Sequence, residues 1–228
     1  MAGEDRVGDE PAAAAGGGDP HAAGFAGGEE PAIVMAPVDA EISAELPGLG
    51  LAWCAFAVSG DPLGRSPDGL RARLRALSDR HRGAQAIALR GRPVPHAYRT
   101  LFRHLGLEPD VQRIPVEALM VERLQAGAYR SRGRLGDALA IATIETEVGV
   151  WALDADRVAG GLRLALASGR VVVADAAGPL ADAFAVPAGE PTVTAATRRV
   201  LVFAVVTPGV PAIAVEEALW TAWDLLVS

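Results

Sequence analysis

Lysine is absent, and all 21 cationic side chains are arginine. A GC-rich coding sequence explains this plainly, in keeping with 26 glycines and 16 prolines. An arginine-rich face is then weaker evidence of phosphate binding than it would otherwise be. Cysteine is nearly absent as well. Cys54 stands alone, which excludes an internal disulfide and a cysteine-cluster metal site. No apolar run reaches about 18 residues, so no transmembrane helix is predicted and no membrane partner is expected. The N-terminus lacks the basic-then-apolar order of a secretory signal, and the chain is expected to be cytoplasmic. Also missing are GxxxxGK[ST], a GxGxxG loop after a strand, HExxH and a nucleophile elbow. His21, His81, His96 and His104 form no spaced ligand set. His96 and His104 fit one helix face, but two ligands do not make a metal site. No metal and no cofactor are expected.

What is present suits a globular chain. Half of the 228 residues are apolar, enough for one domain, or one domain and a tail, with a real core. Charge is distributed unevenly. Residues 1–64 carry one Arg against eleven acids (−10), 65–134 fifteen against six (+9), and 135–228 five against eleven (−6), for a net −7. A basic middle therefore sits in an acidic chain. Phosphate contacts are one reason for it, since nucleic-acid binding is largely electrostatic. An abundance of exposed helix, where Arg is a good former, is the other.

Residues 1–31, rich in Ala, Gly and acids and without apolar period, are expected to be a disordered leader. A single domain is expected over 32–228. The run LGLAWCAFAV, Leu49 to Val58, lies between turn signals and predicts a buried strand. Leu70, Leu74 and Leu77 place a helix over 70–82. Val94-Pro95 is expected to break the chain before a helix whose apolar stripe is Tyr98, Leu101, Phe102 and Leu105. Gly106 should end that helix and Pro109 block its continuation. Pro115 can open the next one, with Leu119, Met120 and Leu124 on its apolar side and Gly127 at its end. The connection 107–114 is longer than the three or four residues of a DNA-reading helix pair, so no DNA partner is expected. A helix over 137–148 follows, then strands over 162–167, 170–174, 183–186 and 200–206. The closing helix, 215–227, brings Leu219, Trp220, Trp223 and Leu226 to one face. Helices in the middle and strands afterwards predict α+β. In EPTVTAATRRVLVF, Thr192 and Thr194 would share a strand face with Thr197 beyond. They are either ligand-binding hydroxyls or ordinary β-branched strand residues.

The order YRTLFRHLGLEPDVQR, VEALMVERLQAG, LGDALAIATIETEVGVWALDADRVAG, RVVVADAAG and TVTAATRRVLVF resembles the B3/B4 domain of the phenylalanyl-tRNA synthetase β chain in its freestanding form. The match covers Tyr98 to Val206, with Leu46–Val58 similar to an opening strand. It falls on Glu117, Ala118, Leu119, Arg123, Asp137, Asp154, Asp156, Arg163, Asp175, Thr194 and Thr197. The resemblance implies a β/β/α layered domain with the two central helices in its outer layer. It also implies a protein that binds tRNA or aminoacyl-tRNA and hydrolyses mischarged esters in trans, in the service of translation fidelity. In that role Asp137 and Thr194 would be catalytic and Thr192 and Thr197 would line the pocket. Arg90, Arg92, Arg99, Arg103, Arg132 and Arg134 would hold RNA phosphates. The family's two asparagines are missing from Gly133 to Ala140. Its polar run before the threonines is replaced by ADAFAVPAGEP, and its late glutamate by Phe203 to Val206. The alternative expectation is a catalytically inactive B3/B4-fold protein that binds tRNA or a small amino-acid-like ligand.

Overall fold

The structure, a computed structural model, describes residues 30–189 and 192–228; up to residue 29, the expected leader lies outside them. The described chain is mixed α+β. Its strands are β1 Val34–Met35, β2 Gly50–Ala57, β3 Val150–Asp154, β4 Arg163–Ala167, β5 Arg170–Ala174, β6 Pro179–Asp182 and β7 Arg199–Val206. Its helices are α1 Ala40–Glu45, α2 Asp68–Arg80, α3 Gly83–Leu89, α4 Pro93–His104, α5 Pro115–Ala126, α6 Arg134–Thr146 and α7 Ala212–Val227. One antiparallel sheet runs β1-β2-β7-β3 and a second runs β4-β5-β6.

The continuous apolar texture of β2 and β7 has a physical cause: both are central and covered on both faces. Ala52, Cys54, Phe56, Val200, Val202 and Ala204 face a helical layer built from α2, α6 and α7. Leu51, Trp53, Ala55, Leu201, Phe203 and Val205 face β4 and β5. The four-stranded sheet is thus a middle layer between helices and a second sheet. Trp151 stacks on Phe203 across the β3–β7 pair, with ring centroids 5.7 Å apart. Fully burying each such side chain stabilises the fold by roughly 1.5–3 kcal/mol. Cys54 lies in this core, where burial pushes its thiol up to about 12. It is no nucleophile at neutral pH.

The corner between α4 and α5 is built as the glycine and proline spacing predicts. Leu107 N–H donates to Phe102 O at 2.8 Å and Gly106 N–H to Arg103 O at 3.0 Å, the paired bonds of a Schellman end. Gly106 takes φ +72°, a conformation an L side chain resists. Gly127, at φ +82°, closes α5 in the same region.

Four expectations are corrected. Val94-Pro95 does not break the chain. Pro93, Val94 and Pro95 form the first turn of α4, where backbone N–H groups have no intrahelical partner to lose. The strand expected at 183–186 is instead β6, four residues earlier. It lies at a sheet edge, where Pro179 is tolerated as first residue. The α4–α5 pair does not form the layer over the sheet; it flanks that layer. Tyr98, Phe102, Ile114, Val116 and Met120 make a cluster of their own, and Leu101 reaches the inter-sheet core. In α7 the buried stripe is Val215, Ala218, Leu219, Ala222, Leu225 and Leu226, which leaves Trp220 and Trp223 half-buried at its margin.

Candidate ligand cleft

A cleft of about 450 Å³ opens where α5, α6 and β3 meet the segment after β6. Helical spacing makes two of its walls. Pro115, Ala118, Leu119 and Glu122 fall on one face of α5, and Leu135, Gly136, Leu139, Ala140 and Thr143 on one face of α6. Trp151 of β3 and Phe184 complete an apolar interior. Gly136 is required by close approach, because a Cβ there would lie 2.8 Å from Arg132 Cβ. The mouth is charged. Glu122 pairs with Arg132, both partly exposed. Arg113 also lines the mouth and has no ion pair among the described residues. An exposed pair of this kind contributes little to stability and can exchange partners.

The floor is fixed from below. Gly149 N–H donates to the hydroxyl of fully buried Tyr98 at 3.2 Å. Burial pushes the Tyr98 phenol up to about 12, so it stays protonated. Two residues earlier, Glu147 ends α6 in the left-handed region at φ +65°. Its buried carboxylate pairs with Arg92. Burial nonetheless outweighs the arginine and holds Glu147 above the usual carboxylate range. With a raised folded-state pKa, the stability from this group is fully present below the ordinary glutamate range and lost as pH rises through the folded value. Glu147→Gln should therefore melt higher than wild type at neutral pH, with the gap closing on acidification below that range. Thermal melts across pH 3.5–8 measure it; a pH-independent gap would contradict the assignment.

The structure brings only some of the expected residues to this cleft. Thr192 lines it, and its hydroxyl donates to Gly189 O at 2.6 Å. Thr194 and Thr197 meet each other away from the lining. Thr197 Oγ1 donates to Asp154 at 2.5 Å and accepts Thr194 N–H at 2.9 Å. These contacts fold 192–197 into a turn rather than the expected strand, because a Thr hydroxyl offers the backbone a local partner. Asp137 is 1 % exposed. It accepts from the Ser66 and Ser131 hydroxyls and from Arg132 N–H at 2.7 Å. It ties two loops to the start of α6 and has no hydrogen bond to any of the three threonines among the described residues. Asp175 does similar work, accepting the N–H groups of Ala159, Ala177 and Gly178.

The six arginines expected to hold phosphates fare unequally. Arg99 is buried, its guanidinium bound by Glu117 and Asp110; it also holds Asp110 below the usual carboxylate range. Arg134 donates to Ser59 O at 2.7 Å and Leu226 O at 2.6 Å, the latter at the carbonyl end of α7. Neither presents a free fork to RNA. Arg90, Arg92 and Arg132 pair with Asp110, Glu147 and Glu122 while remaining largely exposed. Arg103 is exposed and makes no ion pair among the described residues. His96 and His104 are exposed, and no group of three metal-ligating side chains occurs among the described residues. Sequence reasoning missed Glu122 and Phe184 as cleft residues. The Glu122–Arg132 pair spans the α5–α6 connection and carries no local signal.

The chain matches no protein-family model and no curated protein sequence.

Proposed function

We propose that the chain is a B3/B4-type domain whose cleft receives an apolar amino-acid group, free or carried on a tRNA 3′ end, and holds it without hydrolysing it. The composition of the cleft carries this reading. Its interior is apolar around Leu119, Leu139 and Trp151, and opposite charges stand at its mouth. Among the described residues no imidazole lines it, and its one carboxylate is engaged with Arg132. An ammonium group would exchange onto Glu122, with a carboxylate or a terminal phosphate against Arg132 and Arg113. The apolar side chain would then displace water from the walls. A sheet flanked by helices on one face and a second sheet on the other supports the B3/B4 assignment.

The second reading is trans-editing, and one observation favours it: the Thr192 hydroxyl on the cleft wall. An activated ester needs only a positioned water and donors to its carbonyl. One experiment separates the two. Leucine, phenylalanine and tyrosine are titrated calorimetrically, and a panel of correctly and incorrectly charged tRNAs is followed for ester loss. Binding that Glu122→Gln weakens about tenfold, with no ester loss, is expected. Selective deacylation would replace holding with editing. Absence of any binding and any deacylation by folded protein would overturn both. Affinity for tRNA should fall as salt rises, because Arg65, Arg75, Arg103, Arg113 and Arg130 are exposed and make no ion pair among the described residues.

A further inference from the structure

A second cleft, of about 570 Å³, lies between α1, the end of α4 and the β4–β5–β6 sheet. Its apolar part includes Leu46, Leu105, Leu107 and Val171. Among the described residues, Phe184 is the one that lines both this cleft and the first. Its ring sits 4.9 Å from Phe102, 6.0 Å from Tyr98 and 6.3 Å from Trp151, centroid to centroid. It thereby also joins the inter-sheet core to the α4–α5 cluster, packing on both. Beyond the ring on the near side are the apolar walls of the proposed amino-acid site. Beyond it on the far side is space already lined by leucines.

We infer that Phe184 is the size-determining wall of the ligand cleft: its ring ends the space open to a ligand side chain and keeps the second cleft separate. The inference rests on the proposed amino-acid reading for the identity of the ligand, but the partition itself does not. Phe184 comes from a connecting segment, whereas its three ring partners stand on α4 and β3. Removing the ring therefore deletes the partition and leaves both flanking walls in place. Each methylene that gains or loses a wall changes affinity by about tenfold or more in an apolar pocket, so the wall sets which side-chain lengths are accepted.

The test uses the full chain and a series of linear α-amino acids: 2-aminobutanoate, 2-aminohexanoate, 2-aminooctanoate and 2-aminodecanoate. Calorimetric affinity in the wild type should rise with length and then break off. Phe184→Ala should carry the rise past that break and gain at least about tenfold for the longest members, while Phe184→Leu keeps the wild-type break. If alanine prevents folding, Phe184→Val should give an intermediate extension. A break at the same length in wild type and in the folded small-residue variant would overturn the inference. Toluene, followed by methyl NMR, reads the partition without the amino-acid head. The Leu119 and Leu139 methyls should saturate at a different toluene concentration from those of Leu46 and Leu107 in the wild type, and all four together in Phe184→Ala. If no amino acid binds yet toluene behaves in this way, the amino-acid reading fails and the wall stands. A common saturation of both sets in the wild type, or separate saturation in Phe184→Ala, would overturn the wall.

Discussion

Glu117→Ala should destabilise the protein by about 3–5 kcal/mol. Glu117 is 4 % exposed and Arg99 is 6 % exposed. One guanidinium nitrogen reaches both carboxylate oxygens, at 2.9 and 3.1 Å. Deleting the acid leaves a desolvated cation with only Asp110, at the surface, to answer it. The cost is that of an uncompensated buried charge, and it should greatly exceed the cost of deleting an exposed partner such as Asp68, which pairs with Arg71 in α2. The double variant Arg99→Met with Glu117→Leu separates the two meanings of a buried pair. Filling the same space with apolar atoms removes both desolvation penalties and should recover most of the loss. Urea unfolding of the two variants decides it; a double variant as unstable as Glu117→Ala would mean that the pair stabilises the fold outright.

Gly149→Ala should cost about 3 kcal/mol, although it adds one carbon. A Cβ at this position would stand 2.6 Å from Pro115 Cγ and 2.8 Å from the Trp151 ring, distances that atoms in contact do not tolerate. The backbone cannot step aside freely, because its N–H is held by the Tyr98 hydroxyl. Pro115 and Trp151 both line the cleft, so whatever relaxation occurs should alter its shape. The expected result is a lower unfolding midpoint together with changed tryptophan fluorescence in the native state. A midpoint within about 0.5 kcal/mol of wild type would show that the close approach relaxes easily.

How much of this was legible in the sequence depends on how local each signal was. β2 and β7 announce themselves as apolar runs, and the α4–α5 corner as a glycine and a proline, because those constraints lie within a few residues. The first turn of α4 is ambiguous in the sequence, since Pro95 looks the same whether it blocks a helix or opens one. α1 and α3, of six and seven residues, each bury one side chain among those described, Ile42 and Leu89 respectively, too few for a helical period. The cleft was harder. Its helix faces are periodic, but which faces meet is decided by packing across the chain. Asp137 illustrates the limit. The resemblance leads one to expect a functional acid there, yet one of its partners, Ser66, is 71 residues away. A carboxylate that ties loops together and one that orients a water are indistinguishable until those partners are seen.

The lone thiol of Cys54 has a practical consequence. Enclosed in the core and raised far above neutral pH, it is chemically silent in the folded protein, and there is no second sulfhydryl to compete. Any cysteine introduced at the surface would be the sole site for a maleimide dye or a nitroxide. Single-position labelling on either rim of the cleft can therefore be done on the natural background, without first deleting a residue from the core.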